Sequence, residues 1–127
     1  MEKQEKKESW IKVFRNIEKS WLWEERPFSR GQAWIDLLLL AKFRDGSFIN
    51  RRGNLVDAKK GHVYRSISSL ADRWGWSRKK VDHFFDQLET ENMIKVNKKR
   101  ASEETSIFIV NYSRYQIFGT GKRASEE

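Results

Sequence analysis

The segment SISSLADRWGWSRKKVDHFFDQLETENMIKV, residues 66–96, constrains the fold more than any other part of the chain. Ser66 precedes Ile67, Leu70, Ala71 and Trp74, and Ser77 precedes Val81, Phe84, Phe85 and Leu88. Each apolar set recurs at three- and four-residue spacing, which places it on one face of a helix. Each serine stands where a hydroxyl can accept from an orphan backbone N–H of the first turn. Gly75 and Trp76 separate the two patterns, the glycine permitting a bend and the tryptophan placed to fill the angle. Asn92 can take the left-handed backbone that closes a helix. Ile94-Lys95-Val96 and Ile107-Phe108-Ile109-Val110 then read as strands, and the polar NKKRASEETS between them reads as the long tip of a hairpin.

Upstream, Ser29-Arg30-Gly31-Gln32 has the form of a capping box. Trp34, Leu37, Leu38 and Ala41 share a helical face that Ile35 and Leu40 widen, so the central helix is expected here, closed by Asp45-Gly46. Asp36 breaks the apolar run AWIDLLLLA, which is far too short to span a bilayer. Ser9, Trp10, Val13, Phe14, Ile17 and Trp21 predict a further helix over 9–20, and Pro27 marks a break after it. Phe48-Ile49 and Leu55-Val56 flank Arg51-Arg52-Gly53 as a hairpin, Lys59-Lys60-Gly61 is a turn, and His62-Val63-Tyr64 is a short strand. This organisation is one domain over 9–118, with a disordered start at 1–8 and a flexible tail or linker at 119–127. The hexapeptide KRASEE occurs at 99–104 and again at 122–127, too short to be a structural repeat.

Lys and Arg number 26 against 18 Asp and Glu, a net charge of +8 that favours polyanionic partners. The absence of cysteine excludes disulfides and thiolate metal sites and fits a reducing cytoplasm. The start MEKQEKKES has no apolar core and is not a signal peptide. His62 and His83 belong to no HExxH or Cys/His pattern, and neither a Gly-rich phosphate loop nor a Gly-x-Ser-x-Gly elbow is present. No pair of acids sits in an apolar setting that would tune a pKa. A non-enzymatic protein without cofactor or metal is the expectation. Trp34, Trp74, Trp76, Phe84 and Phe85 are core by their spacing. Trp10, Trp21 and Trp23 are less settled, and Trp21-Leu22-Trp23 could be a partner surface such as a dimer contact.

Arg78, Lys79 and Lys80 follow Ser77 at a helix N-terminus, where the macrodipole disfavours cations by about 0.3–1 kcal/mol each. A good base contact is worth about 1–3 kcal/mol of discrimination, so cations there make sense against DNA. Lys79 and His83 lie roughly opposite Val81, Phe84 and Leu88, with Lys80 on one flank and Arg78 near the edge. The candidate DNA-binding residues are therefore Ser77, Arg78, Lys79, Lys80 and His83, together with Lys98, Lys99 and Arg100 at the hairpin tip. Lys59 and Lys60 are weaker candidates. The bland alternative is an Arg78–Asp82 surface pair. Asp82 and Asp86 would repel phosphates and limit contact to the first turn or two.

Two helices joined by a tight Gly-containing turn and followed by a β-hairpin give the order of a winged helix-turn-helix. The expected class is α+β, mostly helical, with an extra N-terminal helix and a C-terminal β-hairpin wing. The combination of PFSRGQAWIDLLLLA, RWGWSRKKVDHFFDQLE and IVNYSRYQ resembles the N-terminal domain of phage replisome organizers, replication initiators related to the DnaD-like primosome proteins of Gram-positive bacteria and their phages. The likeness covers residues 9–118. It implies double-stranded origin DNA as ligand, replication proteins such as a helicase or its loader as partners, and a cytoplasmic, nucleoid-associated location. A homo-oligomer is compatible with it, and no membrane role is expected. A transcription regulator with the same DNA chemistry, or a protein-interaction winged helix of the primosome, are the alternatives.

Overall fold

The computed structural model describes residues 9–97 and 105–116. The expected disordered start, the hairpin tip, the tail and both KRASEE copies lie outside the described residues. Along the chain, 3₁₀ turns at Arg15–Lys19 and Trp21–Trp23 lead to α1 (Arg30–Leu40), β1 (Gly46–Ile49), β2 (Leu55–Ala58), β3 (His62–Val63), α2 (Ile67–Trp74), α3 (Arg78–Thr90), β4 (Ile94–Asn97), β5 (Ser106–Ile109) and α4 (Tyr112–Tyr115). The class is α+β. β1 and β2 form a two-stranded antiparallel sheet, and a three-stranded antiparallel sheet has the order β3-β5-β4.

Local chemistry sets the starts of α1, α2 and α3 as the sequence predicts. Ser29 Oγ accepts from Gln32 N at 3.1 Å while Gln32 Oε1 accepts from Ser29 N at 3.1 Å, which completes the capping box of α1. Ser66 and Ser77 cap α2 and α3 by accepting from Ser69 N and Lys80 N. α1 ends at Leu40, with Ala41 as its C-cap, rather than at Asp45-Gly46. Asn92 takes φ 62° just after α3, and Met93 N donates back to Leu88 O at 2.9 Å.

The bend between α2 and α3 is clamped from outside. Gly75 has φ 72°, a backbone that a side chain resists, and a Cβ there would lie 3.3 Å from Pro27 Cα. Arg26 Nε donates to Arg73 O at 2.6 Å, Phe28 N to Trp74 O at 2.9 Å, and Trp76 Nε1 to Phe28 O at 2.8 Å. The segment before α1 thus ties down the last carbonyls of α2 and the first residue beyond the bend. Trp76, buried and edge-on to Trp74 and Phe84, fills the angle as expected.

Strand alternation gives the three-stranded sheet one apolar face. Val63, Ile94, Ile107 and Ile109 are buried and join Leu37, Leu70, Trp74, Val81, Phe84 and Phe85 in the core, while His62, Lys95 and Phe108 point the other way.

Two expectations are corrected. The helix over 9–20 is absent: residues 9–14 are irregular and only short 3₁₀ turns follow. A helix of that length is marginal without tertiary packing of its apolar face. Here Trp10, Ile11, Val13 and Phe14 are exposed, and only Ile17 packs on the core. Ser20 then accepts from Leu22 N, starting a separate turn. Asp36, read as an interruption of an apolar run, is instead fully buried. Its Oδ2 accepts from Arg73 Nε at 2.6 Å and Trp74 Nε1 at 2.8 Å, and its Oδ1 from Arg73 Nη2 at 2.9 Å and Trp23 Nε1 at 3.4 Å. The Asp36 hydrogen bond holds the Arg73 guanidinium above its ordinary value against the opposing effect of burial. Glu18 adds an ion pair to Arg73 at 3.2 Å.

Asp36→Ala leaves a guanidinium and two indole N–H groups without their acceptor and is expected to cost about 3–5 kcal/mol in denaturant unfolding. The Asp36→Ala/Arg73→Ala double variant is expected to cost less than the two single costs added together. Gly75→Ala is expected to cost at least about 1–2 kcal/mol in the same measurement, the penalty of a left-handed non-glycine residue.

Candidate nucleic-acid interface

α3 turns one face to the core and leaves the other free. Val81, Phe84, Phe85 and Leu88 are buried, whereas Ser77, Arg78, Lys79, Lys80 and His83 are all exposed. The structure therefore gathers five of the eight predicted residues at one end of a single helix. Lys98, Lys99 and Arg100 lie outside the described residues. Lys59 and Lys60 are exposed in the turn between β2 and β3, where Lys60 N donates to Asp45 Oδ1 at 2.9 Å.

The first turn of α3 carries no acidic residue. The Ser77 hydroxyl is occupied by Lys80 N, so the N–H groups of Arg78 and Lys79 remain as unsatisfied donors of the helix terminus. Exposed cations and outward amide groups at one helix end are the elements from which anion sites are made.

The three cations are not equivalent. Lys80 Nζ stands 4.3 Å from the centroid of the Trp76 ring, a cation–π contact over the residue that fills the interhelical angle. That contact is worth about 0.5–1 kcal/mol at an exposed site and offsets the macrodipole conflict of Lys80 from within the protein. Among the described residues Arg78 and Lys79 have no such compensation. The Arg78–Asp82 pair that the sequence allows is not formed among the described residues. The sequence could have shown the Lys80 contact, because Trp76 and Lys80 are four apart across a cap, but cap geometry had to be known first.

The tryptophans divide. Trp23 is buried, its indole edge-on to Phe28 and donating to Asp36, so it is core and not a partner surface. Trp21 is 77% exposed and Leu22 is 56% exposed.

Among the described residues no cluster of His, Cys, Asp or Glu could hold a metal ion, and no helix is long and apolar enough to cross a membrane. The buried carboxylate of Asp36 is committed to four donors, which is a structural and not a reactive environment. No protein-family model matches the chain, and comparison with curated proteins and with solved structures gives no match.

Trp76→Ala removes the interhelical filler, its bond to Phe28 O and the seat of Lys80, and is expected to cost about 3–5 kcal/mol by thermal or denaturant unfolding.

Proposed function

We propose that this chain is a winged-helix domain that binds double-stranded DNA, with α3 presented to the major groove and the β4–β5 hairpin as the wing. The order α1, β3, α2, α3, β4, β5, with β5 central in its sheet, supports this reading. The observation that carries it is the exposed first turn of α3, where Arg78 and Lys79 stand beside free backbone donors without an acidic partner among the described residues. In the groove, Lys79 and His83 would address base edges, while Arg78, Lys80 and the amide groups would hold phosphates. Asp82 and Asp86, exposed further along α3, confine the contact to its beginning. The sequence resemblance to phage replisome organizers makes origin recognition in replication initiation the biological role proposed, with a helicase or its loader among the partners. A transcription regulator would share the same DNA contact.

A protein-docking reading has one observation in its favour. Trp10, Ile11, Phe14, Trp21 and Leu22 are exposed along the chain before α1, an apolar strip more typical of an interface than of a free surface.

Salt separates the two readings. Duplex binding through phosphates weakens as salt rises, with a logarithmic slope of about 0.9 per phosphate neutralised, whereas apolar docking does not. Lys79→Glu/Lys80→Glu is expected to weaken duplex binding about tenfold or more in fluorescence anisotropy and to flatten the salt slope by about one phosphate. Thermal stability should change little, since losing the Lys80–Trp76 contact (about 0.5–1 kcal/mol) is offset by acids in a first turn that favours them. A folded double variant with parental affinity would rule out α3 as the reader.

A further inference from the structure

The face of the three-stranded sheet turned away from the core is not the polar surface expected of a solvated sheet. It carries His62 of β3 and Phe108 of β5, in register with each other and with ring centroids 4.8 Å apart. Tyr64 stacks on His62 at 6.0 Å with an interplanar angle of 21°, and Phe48 of β1 follows at 5.5 Å from Tyr64. The four rings form a continuous row, each half-buried, and none belongs to the core cluster. Val63, Ile107 and Ile109 supply the core-facing side of these strands, so the four rings lie outside the core.

Cations line the row. Lys42 Nζ lies 5.2 Å from the Phe48 ring centroid, and Lys95 is paired with Phe108 in register and exposed. Lys59, exposed in the turn after β2, donates its backbone N–H to the Tyr64 phenol oxygen at 2.9 Å. Past Lys42 the surface opens into a cavity of about 340 Å³, where the guanidinium groups of Arg15 and Arg44 lie 5.2 and 5.3 Å from the Phe43 ring centroid. The cations outnumber the nearby acids: Asp45 lines the same cavity and accepts from the Lys60 N–H, and Asp57 is paired with Ser47 on the hairpin face opposite to Phe48.

We infer that this row is a second nucleic-acid site, which takes single-stranded DNA by stacking unpaired bases on Phe48, Tyr64, His62 and Phe108 while the lysines and arginines beside them hold the phosphates. Aromatic rings interleaved with cations suit an unpaired strand, because every base has a face to stack and the backbone brings the charge. A duplex, whose bases are already stacked on one another, cannot use the rings. The site lies on the opposite side of the sheet from the core to which α3 contributes, so it stands apart from the duplex contact. Only the choice of DNA over RNA rests on the reading of α3 given above. A protein with both surfaces could hold a duplex and keep a strand released from it.

The test uses the full chain and three labelled probes at low salt: an oligo(dT) of roughly 15 nucleotides, an oligo(U) of the same length, and a duplex. The chain is expected to bind oligo(dT). Phe48→Leu/His62→Leu, both outside the β4–β5 hairpin, keeps apolar side chains and removes two ring faces; it should weaken oligo(dT) binding about tenfold or more and leave the duplex unaffected. Lys42→Gln/Lys95→Gln, at surface positions that do not threaten folding, should weaken it and flatten its salt dependence. Lys79→Glu/Lys80→Glu should spare it. The inference is overturned by no binding of oligo(dT), by tighter binding of oligo(U), or by loss of oligo(dT) binding in the α3 variant with retention in folded ring and lysine variants. Binding of oligo(dT) but not of the duplex by the parent chain would count against the reading of α3 and not against this site.

Discussion

The buried carboxylate of Asp36 orients the helical half of the protein. It receives donors from the 3₁₀ turn before α1 (Trp23) and from the last turn of α2 (Arg73 and Trp74), and it sits on α1 itself. Three segments distant in sequence meet at one group. Such an arrangement is weak evidence for net stability, because desolvating the pair offsets much of its attraction. What it supplies is geometry: in this packing a carboxylate, a guanidinium and two indole N–H groups are satisfied together. With α1 and α2 fixed in this way, the clasp of Arg26, Phe28 and Trp76 sets the bend at Gly75, and the bend sets the direction of α3. The exposed basic turn is thus aimed by a network that contains none of its residues.

Electrostatics at the start of α3 illustrate how a structure refines a charge argument. Three cations against the macrodipole look alike in the sequence. Packing distinguishes them, since Lys80 rests on Trp76 while Arg78 and Lys79 face solvent without an internal counterpart. The residual tension is concentrated on two side chains, and these are the ones for which an external anion is the natural partner.

The two faces of the sheet carry different kinds of side chain. Alternation sends Val63, Ile107 and Ile109 inward and leaves His62, Lys95 and Phe108 outward. The inner set closes the core beneath the helices. The outer set, extended by Tyr64 and Phe48, has aromatic content beyond what a solvated sheet face needs. A strand register shifted by one residue would exchange the two sets, so the same hydrogen bonds that build the sheet also assemble the ring row.

Local chemistry alone determined the caps at Ser29, Ser66 and Ser77, the bend at Gly75, the closure at Asn92, the β1–β2 turn and the buried stripe of α3. Each depends on residues within a few positions of one another, where period and hydrogen-bonding capacity are read directly. The exposed candidates on α3 were legible for the same reason, as the face left over once the apolar stripe is assigned. Tertiary structure decided the rest. The apolar spacing over 9–20 suggested a helix, but spacing cannot say whether a surface exists to cover it, and Trp10 and Phe14 found none. Asp36 read as a polar break because its donors, Trp23, Arg73 and Trp74, reach it only across the fold. The ring row is not legible in the sequence because Phe48, Tyr64, His62 and Phe108 become neighbours only when β3 and β5 pair and the β1–β2 hairpin lies beside them. Contacts within one turn or one strand are encoded by sequence order, whereas contacts between elements depend on how all the buried faces are satisfied at once.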